Sequence, residues 1–269
     1  MIDPNSYSPN DSNNSSSNGA TTINTKNSAS SSRVFLARVF FYFGIQLLFT
    51  ALLTFGLAYL FDYIFPFSNT SSSGTIFYIV MLVVSCIGMI VSLVVINKKV
   101  LVNRKGGIVS LLFYSLFNAL LFATLSFYIG DKNIIAMAFL ITSVTFIIMC
   151  VFGLMIKKAY GWLIGVALGL IFGASIIYLI NTFLLPFILF GNASLIESYL
   201  SMYYIAEWCV LIYASIITII DVFRIKKLSQ NQNLDNSLAL YSSLMLYQDF
   251  IMILVRIVYI LLVSRSRNN

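Results

Sequence analysis

The sequence predicts an all-α integral membrane protein, a bundle of seven transmembrane helices. Of its 269 residues, 59% are apolar or aromatic and only 9% are charged, whereas a soluble domain carries about 25% charged residues. Seven apolar runs alternate with short polar segments, and each run is long enough to cross a hydrocarbon core of ~30 Å as a helix. Basic residues concentrate in alternate polar segments. This much apolar surface excludes an ordinary soluble enzyme.

Residues 1–32 form a polar N-terminal arm, made almost entirely of Ser, Asn, Thr, Gly and Ala. The arm has no apolar periodicity, so the surface it could bury does not offset the entropy that ordering would cost. It also lacks the basic start and apolar core of a signal peptide. We therefore expect a disordered cytoplasmic arm at 1–32 and a transmembrane domain at 33–269.

The transmembrane domain contains seven predicted spans, at about 39–65, 76–97, 108–130, 134–156, 160–184, 203–223 and 238–263. Helices are required because every backbone N–H and C=O in lipid must find a partner within its own segment. The runs are too long and too uniformly apolar for the strands of a membrane barrel.

The basic residues predict the orientation of the spans. Three lie on the side of the C-terminus, namely Lys132, Arg265 and Arg267. Twelve lie on the side of the N-terminus, namely Lys26, Arg33, Arg38, Lys98, Lys99, Arg104, Lys105, Lys157, Lys158, Arg224, Lys226 and Lys227. Positive charge concentrates on the cytoplasmic side of membrane proteins. The distribution favours a cytoplasmic N-terminus, and it only weakly opposes a six-span alternative with both termini inside.

The fifth run carries a glycine ladder, in which one glycine recurs every four residues at Gly161, Gly165, Gly169 and Gly173. Small residues at this spacing let a neighbouring helix approach closely. We expect the ladder to pack against another helix inside the bundle.

Several classes of chemistry are excluded by residue types that the chain lacks. There is no histidine, and the three cysteines stand singly within apolar runs. These facts exclude histidine-dependent catalysis and zinc sites, and they argue against a disulfide framework. The HExxH and GxSxG motifs are also absent. We expect no enzymatic activity, no cofactor and no nucleic-acid partner.

Two aspartates lie where a charge is costly, since an ionised carboxylate in hydrocarbon costs about 3 kcal/mol. Asp221 ends the sixth run, and Asp249 lies about ten residues, or ~15 Å, into the seventh. The last two spans are antiparallel neighbours, so both aspartates fall in the cytoplasmic half of the bundle. Two carboxyl groups in a medium of low dielectric cannot both ionise cheaply. We expect Asp221 and Asp249 to share one proton, although Asp221 alone could also pair with Arg224 or Lys226 at the rim.

Two further charges occupy the outer halves of the same spans. Glu207 lies near the start of the sixth run and Arg256 lies near the end of the seventh. A structural ion pair between them would offset two desolvation costs. The alternative is that Arg256 extends its guanidinium to the membrane surface.

The chain resembles the Bax inhibitor-one family, the transmembrane Bax inhibitor motif proteins. The resemblance rests on seven spans with Asp221 at the cytoplasmic end of the sixth and Leu246-Tyr247-Gln248-Asp249 in the seventh. The first run adds a segment similar to the bacterial form of the family, Phe35-Leu36-Ala37-Arg38-Val39-Phe40 followed by Gly44 and Thr50-Ala51. The fourth run adds Ala138-Phe139, Thr142, Phe146, Gly153 and Lys157-Lys158.

The resemblance implies a pH-sensitive calcium leak that acid favours, and in eukaryotes a restraint on cell death. It assigns the proton-sensing pair to Asp221 and Asp249, and it implies that Lys98 or Lys99 engages Asp221 as a latch. The chain departs from the family at Val222-Phe223, where Thr-Gln is common, and at Met252, where Asn is common. Fewer polar neighbours would leave the carboxyl groups drier.

These features predict a membrane protein that passes calcium slowly down its gradient under proton control. Carboxylate oxygens are ligands that calcium prefers, so calcium ions and protons are its expected partners, together with the lipid bilayer. The alternatives are a proton-coupled secondary transporter and a membrane interaction protein whose aspartates only stabilise the fold. The expected location is the cell membrane, or the endoplasmic reticulum or Golgi in a eukaryote.

Overall fold

The structure, a computed structural model, describes residues 17–64, 72–99, 104–156, 161–189, 193–230 and 236–268. Within these ranges the secondary structure comprises seven α-helices and no strand. The helices are α1 (Ser17–Ile64), α2 (Ser72–Lys99), α3 (Arg104–Ile129), α4 (Lys132–Met155), α5 (Gly161–Leu189), α6 (Ala193–Leu228) and α7 (Asn236–Asn268). All seven are long and apolar enough to cross a membrane. The all-α, seven-span fold class is therefore confirmed, and the six-span alternative is wrong.

The apolar spans lie at Ser31–Ile64, Thr75–Ile96, Gly107–Ile129, Lys132–Met155, Gly161–Phe183, Ser201–Leu228 and Asn236–Arg265. Five of them agree with the predicted boundaries within two residues. The first span begins earlier than predicted and the sixth ends later, because helical backbone continues through polar residues on the side where α1 begins. We call that side of the bundle the N-terminal side.

The structure differs from the expected arm at residues 17–32, because α1 begins at Ser17. A helix that has already formed is extended by one hydrogen bond for each residue added, so a polar segment can continue an apolar one. The rest of the expected arm, residues 1–16, lies outside the described residues.

Helix α7 occupies the centre of the bundle and packs against α1, α3, α4 and α6. It buries large side chains that are almost fully excluded from solvent, among them Tyr247, Phe250 and Leu254. The most extensive pairings elsewhere are α5 with α6, and α3 with both α1 and α2. Side chains on α7 therefore meet more of the other helices than side chains at the edge of the bundle do.

Aromatic rings fill the space around α7. Phe146 of α4 stacks on Phe43 of α1 at 4.9 Å between ring centroids and meets Phe250 edge-on at 5.6 Å. Offset and edge-on contacts of this kind add to the stabilisation that burial of the rings provides. The bundle interior is therefore a packed core around α7.

The turn between α3 and α4 is short, and two of its residues, Gly130 and Asp131, stabilise it. Gly130 has φ 69°, a left-handed conformation that side-chain-bearing residues rarely adopt. Asp131 then caps α4, because its carboxylate accepts a hydrogen bond of 2.9 Å from the backbone N–H of Asn133. This turn holds α3 and α4 as an antiparallel pair on the side of the bundle opposite the N-terminal side.

The prediction that the glycine ladder packs inside the bundle is wrong. All four glycines of the ladder are exposed on α5, and a Cβ added at any of them would meet nothing within 4 Å. A spacing of four residues shows which residues share a face of a helix, but not where that face points.

Alanines, and not the glycines of the ladder, bury α5 against the bundle. Ala167 and Ala174 are 2% and 1% exposed, and Asn181 continues their seven-residue spacing. Since α5 packs against α6, this is the face that meets α6. Glycines allow close approach at two other places. A Cβ on Gly88 would lie 2.2 Å from the ring of Phe117, and one on Gly153 would lie 2.7 Å from Val222 Cβ.

Candidate functional site

Asp221 lies near the end of α6, on the N-terminal side of the bundle, and is buried, with 6% of its surface exposed. Its Oδ1 accepts a hydrogen bond of 3.0 Å from Nη1 of Arg224, one turn further along the same helix. The Arg224 side chain is half exposed, so its charge can remain hydrated while it neutralises a buried carboxylate. Of the two rim partners considered, the structure therefore joins Asp221 to Arg224.

Lys226, the other basic residue considered for Asp221, contacts α4 instead. Its Nζ donates hydrogen bonds of 2.6 Å to the carbonyl of Leu154 and 3.2 Å to that of Ile156. These carbonyls belong to the end of α4, where backbone acceptors lack partners within the helix. Lys226 therefore caps α4 and ties it to α6 next to Asp221. Sequence reasoning missed this role, because the partner is backbone from a distant part of the chain.

Asp249 lies in the middle of α7 and is also 6% exposed. Its Oδ2 has no hydrogen-bond partner in the part of the chain that the structure describes. The carboxyl group interacts electrostatically with Asp221 of α6 and with the thiol of Cys150 on α4. Asp249 therefore stands at the meeting point of α4, α6 and α7, within electrostatic range of the other aspartate.

Charged residues of α6 and α7 lie at multiples of seven residues along each helix. Glu207 and Asp221 lie fourteen residues apart on α6, and Asp249 and Arg256 lie seven apart on α7. Glu207 contacts Arg256 directly. The two helices are antiparallel and rise equally per residue, so depth can be counted from the Glu207–Arg256 pair. Asp221 lies fourteen residues from that pair and Asp249 only seven, so Asp249 lies deeper in the bundle. Asp221 bonds to Arg224, and a proton shared between the aspartates stays a prediction.

The environment of the two aspartates is shaped by small residues of α4. Gly153 admits Val222, and a Cβ at position 153 would also lie 2.9 Å from the carbonyl oxygen of Ile219. Cys150, one turn away on the same face of α4, is 8% exposed. A larger residue at position 153 would separate α4 from α6, so this part of α4 positions the backbone that carries Asp221.

Glu207 and Arg256 form an ion pair between α6 and α7 on the opposite side of the bundle. Arg256 Nη1 lies 2.7 Å from Oε2 and 2.9 Å from Oε1 of Glu207. The Tyr178 hydroxyl of α5 donates a third hydrogen bond of 2.7 Å to Oε1. The Glu207 side chain is 1% exposed and that of Arg256 is 30% exposed. The structure thus shows the ion pair, while part of the Arg256 side chain remains exposed.

Asp221 and Asp249 are two separate acidic side chains and do not form a closed metal site. Within the described ranges, no group of three or more Cys, Asp or Glu side chains is placed to hold a metal ion. A tight calcium site takes six to eight oxygen ligands. Two carboxyl groups on adjacent helices supply fewer oxygens than such a site requires.

A family model described as Inhibitor of apoptosis-promoting Bax1 matches residues 32–267. The chain belongs to the Bax inhibitor-one family. No curated protein and no solved structure matches it. Family membership thus agrees with the resemblance seen in the sequence and extends over nearly the whole chain.

The residues that the Bax inhibitor-one family implies fall in different parts of the structure. Asp221 and Asp249 lie on the packed helices α6 and α7. Lys98 and Lys99 end α2, but their side chains lie outside the described residues, so a latch to Asp221 stays a prediction. Of the departures from the family pattern, Val222 is buried against Gly153. Met252 is 36% exposed on α7.

Proposed function

We propose that this protein is a pH-sensitive calcium leak channel of the Bax inhibitor-one family, controlled by Asp221 and Asp249. The observation that carries the proposal is that two carboxyl groups from α6 and α7 are buried within electrostatic range of each other. One of them, Asp249, has an oxygen without a hydrogen-bond partner among the described residues. Intramembrane acidic residues of this kind mark ion and proton pathways.

The proposed mechanism depends on the number of protons that the two aspartates hold. With one proton between them, the pair carries a single negative charge, which Arg224 offsets through its bond to Asp221. Loss of that proton places two like charges between α6 and α7, and in a medium of low dielectric these repel strongly. A further proton removes the negative charge that Arg224 neutralises. Each change in protonation therefore alters the forces that hold the two helices together.

Calcium enters this scheme as the permeant ion. Carboxylate oxygens suit a hard cation, and an acidic pair would attract calcium briefly as the ion crosses the bundle. From the family we expect acid to favour the leak, so the conducting arrangement would be the one in which the pair holds one proton and keeps one negative charge that can attract calcium.

The test is calcium flux into proteoliposomes across pH 5 to 8, for the native chain and for Asp221→Asn and Asp249→Asn. We expect native flux to rise as the pH falls, and each variant to lose most of that dependence. Asp131→Asn is the matched control, because Asp131 lies in the exposed turn before α4 and Asn can also cap a helix. A native flux that is independent of pH and unchanged in both test variants would contradict the proposal.

Two other functions would give different results in the same vesicles. A proton-coupled transporter would move protons in fixed proportion to its substrate, so an imposed pH gradient would drive uptake against a substrate gradient. An interaction protein with structural aspartates would lose thermal stability in Asp249→Asn without showing any calcium flux in the native chain.

A further inference from the structure

Helix α5 is attached to the rest of the bundle through α6. Within the described ranges, α6 is the only helix against which α5 packs extensively. Much of the remaining surface of α5 is exposed, and Trp162, Phe172 and Phe183, spread along the helix, are 70%, 69% and 70% exposed. We call these two antiparallel helices the α5–α6 hairpin. If α6 moved, α5 would have to follow it or lose the contacts that bury it.

The α5–α6 hairpin has internal contacts that would hold it together during such a movement. The Tyr178 hydroxyl of α5 donates a hydrogen bond of 2.7 Å to Glu207 of α6. The Tyr178 ring also meets the Tyr203 ring edge-on, at 5.4 Å between centroids. Ala167 and Ala174 of α5 are almost fully buried, and small side chains of this kind let two membrane helices approach closely. The hairpin can therefore behave as one rigid unit.

The other five helices are joined by contacts of their own, and we call them the body. Helix α7 is tied to α1, since the Tyr247 hydroxyl lies 2.6 Å from Thr50 Oγ1. Helix α4 is tied to α1 by an ion pair of 2.6 Å between Lys132 and Asp62. Helix α3 packs extensively against both α1 and α2. The bundle therefore divides into two units, each with strong contacts within itself.

The seam between the two units, where α6 meets α4 and α7, has a polar tie near each end. On the N-terminal side, Lys226 of the hairpin donates hydrogen bonds to two backbone carbonyls of α4. On the opposite side, Glu207 of the hairpin pairs with Arg256 of the body. Asp221 and Asp249 lie between these two ties, one on each unit. A movement of one unit against the other therefore changes the separation of the two aspartates.

The hairpin is joined covalently to the body on the N-terminal side alone. Both chain connections between the two units lie there, because α4 and α6 both end on that side. Just beyond α6, Ser229 Oγ also lies 2.7 Å from the Oγ of Ser32 on α1. On the opposite side the two units are held by side chains, among them the Glu207–Arg256 pair. A pivot on the N-terminal side would thus leave the chain connections in place while the opposite side moves.

We propose that the α5–α6 hairpin is the moving part of this protein, which pivots as a rigid unit against the body. The Glu207–Arg256 pair holds the hairpin in the position seen in the structure, and loss of this tie lets α6 move away from α7 on the opposite side. Hinge and shear movements of packed helices are a common way for proteins to switch between two arrangements. That this movement opens the calcium path past Asp221 and Asp249 rests on the proposed function, whereas the movement itself does not.

The test measures distances between pairs of spin labels by electron paramagnetic resonance in proteoliposomes. The three native cysteines are replaced by Ala, and labels are attached to cysteines introduced at exposed positions. One pair, Ile205 with Leu60, spans the seam from α6 to α1. A second pair, Ile205 with Phe172, lies within the hairpin. A third pair, Leu60 with Met137, lies within the body.

Each pair is measured in the cysteine-free background and in three variants of it. Arg256→Met and Glu207→Gln weaken the tie across the seam. Tyr178→Phe is the matched control, because it also removes a hydrogen bond to Glu207, but one that lies within the hairpin. We expect Arg256→Met to change the seam distance by about 2 Å or more and Glu207→Gln to change it in the same direction. Tyr178→Phe should leave it unchanged, and the hairpin and body distances should stay constant throughout.

Glu207→Gln is included because it preserves the volume of the side chain, so the result does not depend on the folding of Arg256→Met alone. If the seam distance is unchanged in the variants that keep a cooperative melting transition, the ion pair does not hold a moving part and the proposal is wrong. A change in the hairpin distance as large as that in the seam distance would show that α5 and α6 are not one rigid unit. These distances need no calcium flux, so failure of the leak proposal would leave the result unaffected.

Discussion

Arg256 donates hydrogen bonds from one nitrogen, Nη1, to both carboxylate oxygens of Glu207, at 2.7 Å and 2.9 Å. The two partners differ in burial, since the Glu207 side chain is 1% exposed and that of Arg256 is 30% exposed. Breaking a buried pair by removing one partner is costly because the other charge is left without compensation. Because the two side chains differ in burial, we expect removal of one charge to cost more stability than removal of the other.

Arg256→Met should lower the free energy of unfolding more than Glu207→Gln does. The first change leaves a buried carboxylate with only the Tyr178 hydroxyl, and we expect a loss of about 3 kcal/mol. The second leaves a guanidinium that can extend to the surface, so its loss should be about 1 kcal/mol. Thermal unfolding in detergent, followed by tryptophan fluorescence, checks the order. Equal losses, or a larger loss in Glu207→Gln, would contradict the role assigned to burial.

The carboxyl group of Asp131, in the turn before α4, should make the stability of the fold depend on pH. It lies outside the membrane spans, and hydrogen bonds from Arg265 and from the backbone of Asn133 hold its pKa below the usual 3.8. A carboxyl group whose pKa is lowered on folding stabilises the fold above its unfolded pKa and loses that contribution as the pH falls through the folded value.

The contribution of Asp131 should therefore be full well above pH 3.8 and should be lost as the pH falls through the lower pKa of the folded state. Comparing the melting temperature of the native chain with that of Asp131→Asn isolates it, since Asn keeps the helix cap but not the charge. We expect a small difference at pH 6, as for exposed ion pairs in general, which disappears on acidification. A difference that persists unchanged at the lowest pH would show that the charge is irrelevant.

Lys226 and Lys227 provide a matched pair on α6. Lys226 donates to the last carbonyls of α4, whereas Lys227 is exposed. Both changes to Met remove one positive charge from the same end of the bundle. We expect Lys226→Met to cost about 1 kcal/mol of stability through the lost cap, and Lys227→Met to cost almost nothing. If the two variants unfold at the same temperature, the contacts with α4 contribute no stability.

The fold was predictable because the membrane imposes few choices. Long apolar runs must become helices in lipid, and five of seven spans could be placed within two residues. The candidate charges could be found for a similar reason, since a charge in lipid is costly without a partner. Glu207–Arg256 and Asp221–Arg224 are paired, whereas Asp249 has an oxygen without a partner among the described residues. The number of helices and the positions of the candidate charges follow from the cost of placing polar groups in lipid. That cost can be read from a single sequence.

Contacts that depend on helix rotation could not be predicted in the same way. The sequence gives the spacing of small residues but not the direction in which they face, so the ladder on α5 was assigned to the wrong environment. The contact of Gly153 with α6 and the cap from Lys226 to α4 both join distant segments through backbone atoms, which carry no signature in the sequence.

The two environments of glycine predict opposite effects of the same substitution. Gly153→Ala places a Cβ 2.7 Å from Val222 Cβ and 2.9 Å from the carbonyl oxygen of Ile219. Because backbone cannot yield as a flexible side chain does, α4 must move away from α6, and we expect a loss of about 1–3 kcal/mol of stability. Gly169→Ala meets nothing within 4 Å. It should leave stability unchanged or raise it by up to about 1 kcal/mol, since Ala favours a helix more than Gly does. Thermal unfolding of both variants gives the comparison. If Gly153→Ala were as stable as the native chain, α4 and α6 would not be in close contact beside Asp221. A large loss of stability in Gly169→Ala would mean that the glycine ladder is packed against another helix.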